Sequence, residues 1–167
     1  GLFLPLRTTF KQASATRNVG ESIWCEVTRG IHTGYGEGCP RKYVTNETVT
    51  EGLTWLKEKQ ATISIHCFSL ETLTTWIQEN RRLIDRHPAA FCAIETALLD
   101  LFAKEKGQSV EELLGLPAPK RTYTYTAVLG DSSPDKFKHL LYRYLALGFQ
   151  DFKVKASGNF EQDQSKL

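Results

Sequence analysis

Hydrophobic period changes twice along this chain, and the order of those changes restricts it to few architectures. From residue 22 the side chains alternate, with Ile23, Cys25 and Val27 on one side of an extended segment and Trp24, Glu26 and Thr28 on the other. Gly30 breaks this strand. Ile31 to Gly36 can return as its hairpin partner, with Gly34 and Gly36 permitting close backbone approach. Leu2 to Phe10 mixes apolar and polar positions loosely, and Lys11 to Glu21 is polar. About three antiparallel strands fit this opening third.

Helical spacing then takes over. Thr45 or Asn46 can cap a helix reaching about Gln60, with Val49, Leu53 and Leu56 on one stripe. Ser69 can cap a second through about Arg82, with Leu73, Trp76 and Ile77 inward. Pro88 suits the first turn of a third, whose Phe91, Ile94, Leu98, Leu101 and Phe102 follow helical spacing and which Gly107 stops. Ser109-Val110-Glu111-Glu112 is a capping-box pattern opening one more short helix.

After Pro117-Ala118-Pro119-Lys120, a linker by composition, the pattern becomes strand, helix, strand. Tyr123 to Leu129 alternates. Ser133 and Pro134 open a helix carrying Phe137, Leu140, Leu141, Tyr144 and Leu145, and Gly148 closes it. Phe152 to Lys155 is the second strand, and a polar tail runs from Asn159 to Leu167. A single βαβ unit favours parallel strands with a right-handed crossover. The expected fold is therefore an α+β domain over residues 1–117, followed over 118–167 by a single βαβ unit.

In the second strand Phe152 and Val154 alternate with Lys153 and Lys155, which puts both ammonium groups on one face. Close-set ammonium groups disfavour each other's charge. A lysine brought toward neutrality is a base able to take a proton from carbon. A solvated edge strand, with lysines that discourage aggregation, fits the same residues.

Composition narrows the function classes. The chain is 41% hydrophobic and 24% charged with a formal net charge of +2, and its basic residues are dispersed in short pairs such as Arg81-Arg82, so nothing points to nucleic acid. No apolar run approaches membrane-spanning length, so no membrane partner is expected. Cys25, Cys39, Cys67 and Cys92 stand far apart without metal-ligand spacing, which reads as buried thiols in a reducing, cytoplasmic compartment. With no methionine even at position 1, the chain is expected to begin downstream of a translational start.

Three segments together resemble the muconate-lactonizing-enzyme-like subgroup of the enolase superfamily, that is, the mandelate racemase/muconate lactonizing enzyme family. Gly34-Tyr35-Gly36-Glu37-Gly38-Cys39-Pro40, continuing to Tyr43-Val44-Thr45-Asn46-Glu47-Thr48, is similar to the family's capping-domain strand and loop. His87-Pro88-Ala89-Ala90 through Ile94-Glu95-Thr96-Ala97-Leu98-Leu99-Asp100-Leu101, with Lys106-Gly107-Gln108 and Leu113-Leu114-Gly115, resembles its long helix and exit. Gly148 to Lys155 resembles its second barrel strand. Asn46 stands where the family usually has glycine, and asparagine tolerates the positive φ required there.

The resemblance implies that residues 1–117 are an α+β capping domain and 118–167 the first βαβ unit of an incomplete β/α (TIM-type) barrel. It also implies a magnesium-dependent isomerase that removes the proton α to a carboxylate and stabilises the resulting enediolate on the metal. A dipeptide or N-acyl amino-acid epimerase is the expected substrate class. A muconate-type cycloisomerase or a succinylbenzoate-synthase-like lyase would use the same Lys-x-Lys. Carried onto this chain, Lys155 is the acid/base and Lys153 its electrostatic neighbour. Arg17, Tyr43 and Thr45, on loops spanning Phe10 to Arg17 and Cys39 to Thr45, would meet the small carboxylate substrate. Glu37 and Glu95 are read as structural. No metal ligand is assigned, because the family's acidic ligands lie on the third to fifth barrel strands, and about a quarter of a barrel is encoded here. These residues alone are therefore expected to be inactive, a non-catalytic module being the alternative of another class, and to form a homo-oligomer or pair through the open strand edges.

Overall fold

A computed structural model describes residues 1–119, 122–164 and 166. In chain order the elements are β1 (Leu2–Gln12), β2 (Ala15–Arg29), β3 (His32–Gly38), α1 (Val49–His66), α2 (Leu70–Glu79), α3 (Arg81–Ile84), α4 (Pro88–Glu105), α5 (Val110–Leu113), β4 (Ala127–Leu129), α6 (Pro134–Ala146), β5 (Phe152–Val154) and α7 (Phe160–Gln164). β1, β2 and β3 form one sheet in that order, and β4 pairs with β5 in another. Contacts group the chain into two compact units, Gly1–Leu4 with Glu21–Pro119, and Pro5–Gly20 with the described part of 120–167. Among the described residues, no helix is long and apolar enough to cross a membrane.

The first unit is built on the antiparallel pairing of β2 with β3, in which Cys25 opposes Gly36 and Val27 opposes Gly34. β3 carries glycine at every second position, and Gly34, Gly36 and Gly38 are all buried against α4. With no Cβ to hold the helix away, backbone meets backbone. The core beside this contact contains Ile23, Trp55, Leu73, Trp76, Phe91, Leu98, Leu101 and Phe102. Each such side chain stabilises by roughly 1.5–3 kcal/mol on burial.

Helix starts follow from the capping residues. Thr48 and Glu51 form a capping box on α1, as do Ser69 and Thr72 on α2 and Ser109 and Glu112 on α5. Helix α4 is capped from a distance instead. Pro88 at its first position has no N–H, and the next two donors, Ala89 N (2.7 Å) and Ala90 N (3.3 Å), both bond to the Glu47 carboxylate. Phe91 N then makes the first helical bond, to His87 O. The helix start is thus satisfied, with negative charge at the positive end of its dipole. Asn46, at φ 57°, turns the chain so that Glu47 reaches inward.

Several boundaries and faces differ from the sequence expectation. α1 starts at Val49 after Thr48 rather than after Thr45 or Asn46, and it extends to His66. Its buried stripe is Val49, Gly52, Trp55 and Ile63, whereas Leu53 is exposed. Gly52 sets this rotation, since a Cβ there would lie 2.5 Å from Ile23 Cδ1. The second predicted helix is two, because α2 ends at Glu79 and α3 restarts after Asn80. The polar stretch after Lys11 is the turn and distal half of a long hairpin. Of the four free cysteines only Cys67 is buried, with Cys39 and Cys92 exposed, so the expectation of uniformly buried thiols is corrected.

In the second unit β4 and β5 run parallel, with Ala127, Val128 and Leu129 opposite Phe152, Lys153 and Val154. The predicted strand from Tyr123 shortens to Ala127–Leu129. A strand lasts only while a partner is extended, and Gly148 at φ 86° closes the α6 turn just upstream of β5. Phe137 of α6 is buried, as are Ala127 and Leu129 of β4. The tail forms α7, with Asn159 Oδ1 accepting from Gln162 N (3.0 Å). The expected linker and tail include residues 120, 165 and 167, which lie outside the described residues.

Candidate active site at the carboxyl ends of two parallel strands

Lys155 follows β5 directly, and its N–H still bonds to Leu129 O at 2.8 Å, so the ladder carries it past the last strand residue. Lys153 lies two residues earlier, opposite Val128. Strand alternation therefore gives both lysines one face with Val128, and leaves Ala127, Leu129, Phe152 and Val154 on the other. Lys155 is half-buried and Lys153 exposed. The carboxyl ends of parallel strands are where α/β folds place ligands, since the loops that follow can be varied without disturbing the sheet.

The β1–β2 hairpin turn is bonded to both of these strand ends. Asp131 N, just beyond β4, donates to Lys11 O at 3.0 Å, and Ala13 N donates to Ala156 O, beyond Lys155, at 3.2 Å. Phe10 packs against Gly130, where an added Cβ would meet the ring at 4.0 Å. The Arg17 guanidinium lies 5.6 Å from the centre of that ring, and its Nε is buried without a hydrogen-bond partner among the described residues. Phe10 to Arg17, expected as a loop, is therefore strand and turn, and it belongs to the same unit as Lys153 and Lys155.

Tyr43 and Thr45 belong to the first unit. Tyr43 is exposed. The Thr45 hydroxyl accepts from Arg41 N (3.1 Å) and lies 3.3 Å from Arg41 O, closing the turn that follows β3. That unit also contains a cavity of about 570 Å³, lined by Val27, Leu56, Ile63, Cys67 and Leu98 among others, and none of the expected site residues lines it. Burial pushes the Cys67 thiol up to about 11, so it is no nucleophile there.

Sequence reading weighed Asp131 only as a metal ligand, rejected it, and gave the carboxylates of the second unit no other role. Asp131 is 6% exposed, and its carboxylate meets Lys166 Nζ (2.8 Å), Lys11 Nζ (3.3 Å) and Gln162 Nε2 (3.2 Å). The Lys166 bond, then that of Lys11, holds this carboxyl below its ordinary value against the opposing effect of burial. Asp163 accepts from Ser157 N (2.7 Å) and Gly158 N (3.2 Å) and meets Lys166 Nζ (3.1 Å). Those bonds, the Ser157 amide first, hold it at about 2. The signal that could have found Asp131 is its position, one residue past the glycine that ends β4.

Magnesium takes an octahedral set of oxygen ligands. Among the described residues, no three His, Cys, Asp or Glu side chains gather where they could hold a metal ion. Asp131 and Asp163 are committed to ammonium groups and backbone amides, so the described residues do not fit magnesium.

The chain matches the N-terminal domain of mandelate racemase / muconate lactonizing enzyme over residues 5–115. It is 32% identical to an L-Lys-D/L-Arg epimerase of Desulforapulum autotrophicum, with 98% of this chain and 44% of that protein covered. A hydrophobic dipeptide epimerase of Roseobacter litoralis is 30% identical, with 87% and 40% covered. The fold matches a dipeptide epimerase from Enterococcus faecalis V583 complexed with Mg and the dipeptide L-Leu-L-Tyr, with a TM-score of 0.80 at 24% identity, covering 99% of this chain and 46% of that one. The chain thus spans less than half the length of the proteins it matches. It carries a capping domain followed by a parallel two-strand unit, and it belongs to the mandelate racemase/muconate lactonizing enzyme family of the enolase superfamily.

Proposed function

We propose that this chain is the N-terminal part of an epimerase that removes and returns the proton α to a carboxylate, acting on dipeptides or N-acyl amino acids. Residues 1–117 are the capping domain and 118–167 the opening of the barrel. Lys155 is the acid/base, held by its backbone bond to Leu129 O, and Lys153 on the same face supplies positive charge to the developing anion. Arg17 meets a substrate carboxylate, and Tyr43 and Thr45 contribute from the loop after β3. The observation that carries the reading is the lysine pair at the carboxyl end of a parallel strand, with the hairpin turn bonded across that end. Dipeptide substrates are favoured over muconate-type cycloisomerisation because relatives at 30% identity or more act on dipeptides or on paired amino acids by name.

Magnesium is proposed as a requirement of the full-length protein, as in the Enterococcus complex, with ligands other than the described residues. Residues 1–167 by themselves are proposed to be inactive. In solution, edge pairing through β4 or β5 would make them a homo-oligomer, in a reducing, cytoplasmic compartment. The experiment is α-proton exchange and epimerisation on a dipeptide library with the full-length protein in deuterated water, with magnesium. Lys155→Ala is expected to lower exchange by at least about a thousandfold with an unchanged circular dichroism spectrum. Full activity in that variant would remove Lys155 from the assignment, and robust turnover by residues 1–167 would refute their proposed inactivity.

A further inference from the structure

A carboxylate whose side chain is 3% exposed is stable only where donors replace the water it has lost. Among the described residues Asp131 has three such donors, and two of them, Lys166 and Gln162, come from the tail. The third is Lys11 Nζ on the hairpin, at 3.3 Å. The hairpin turn is also tied at two backbone points, Lys11 O to the end of β4 and Ala13 N to the end of β5. Two points define only a line, about which a short turn can rock. The Lys11 ammonium bound to Asp131 adds a third, side-chain tie to the two backbone ones.

We infer that Asp131 is a positioning residue, clamping the hairpin turn across the carboxyl ends of β4 and β5 so that Phe10 and Arg17 are held in one orientation. What the hairpin does for substrate rests on the proposed function, whereas what Asp131 holds does not. Asp131 touches no reacting atom in this account. Its effect passes through Lys11 to the strand that carries Phe10, and from the Phe10 ring to the Arg17 guanidinium stacked on it.

The test uses the full-length protein with two variants, Asp131→Asn and Lys11→Met. Removing the Asp131 charge leaves Lys166 buried beside a weaker partner and could loosen the tail as well. Lys11 is 59% exposed, so its replacement removes the clamp without emptying a core site. Amide hydrogen exchange across residues 10–17 is expected to accelerate about tenfold in both variants and to return to the wild-type rate in Lys11→Arg. On an accepted dipeptide, KM is expected to rise about fivefold while kcat changes less than about twofold, the pattern of lost uniform binding. Exchange within about twofold of wild type in both variants would overturn the clamp. Faster exchange with an unchanged KM would overturn its role in positioning. If the wild-type protein epimerises no dipeptide, the functional reading fails, and hydrogen exchange alone decides the clamp.

Discussion

A side chain at Gly36 would put its Cβ 2.1 Å from the carbonyl oxygen of Ala93. The same contact repeats at Gly34 with Ala97 O (2.1 Å) and at Gly38 with Ala89 O (1.9 Å). The repeat has a geometric cause. Two strand residues advance about 6.7 Å and four helix residues about 6 Å, so alternate positions of β3 keep pace with every fourth residue of α4.

Gly36→Ala must therefore push the helix from the strand, because a main-chain carbonyl cannot rotate aside. The expected cost is about 3 kcal/mol or more, read from urea denaturation. Gly107→Ala is the contrast. At φ +64° with open space around it, it is expected to cost only about 1 kcal/mol. Equal costs for the two would mean that close approach does not explain the glycines of β3.

Glu47 makes a second long-range demand on α4. It is 2% exposed and takes the two free N–H groups of the helix start. Glu47→Ala would leave both donors buried and unpaired, at an expected cost of about 3 kcal/mol, while Glu47→Gln keeps one acceptor oxygen and should cost about half as much. Chemical denaturation of both variants checks the order. An alanine variant as stable as wild type would show that water replaces the cap without penalty.

These two relationships show what could be read from residue order and what could not. Pro88, Ser69 and Ser109 announce helix starts because the cap lies within a few residues of what it caps. The glycines of β3 signalled close approach but not its partner, some 60 residues downstream. Leu53 was misassigned because periodicity counts apolar side chains, whereas the packed face of α1 includes Gly52. At the candidate site, alternation alone was enough to pair Lys153 with Lys155. The Asp131–Lys11–Lys166 cluster was not legible, because its members come together only once the hairpin turn and tail have folded onto the strand ends.

Glu95 allows a test in pH. Burial raises its carboxyl above the ordinary 4.5, so folding disfavours the charged form. Its contribution to stability is present below the unfolded value and is lost as pH rises through the folded one. Glu95→Gln is therefore expected to raise Tm by about 2 °C at neutral pH and to make no difference at about pH 4 and below. A variant less stable than wild type at neutral pH would show that the charge has a favourable partner instead.

Asp163 has the opposite sign. Its bonds to the Ser157 and Gly158 amides and to Lys166 exist only for the ionised carboxylate, and they hold it at about 2 against an ordinary 3.8. A depressed folded value contributes fully above the unfolded one and is lost as pH falls from about 4 toward about 2. The turn it braces follows Ala156, whose carbonyl holds the hairpin through Ala13 N. Acid should therefore loosen the turn first, and the hairpin with it, before the glycine-packed first unit unfolds. A carboxyl-carbon titration followed by NMR is expected to give a midpoint near 2 for Asp163, with the Ser157 amide resonance moving at the same midpoint. A midpoint near 4 would mean that the turn is open in solution and does not brace Ala156.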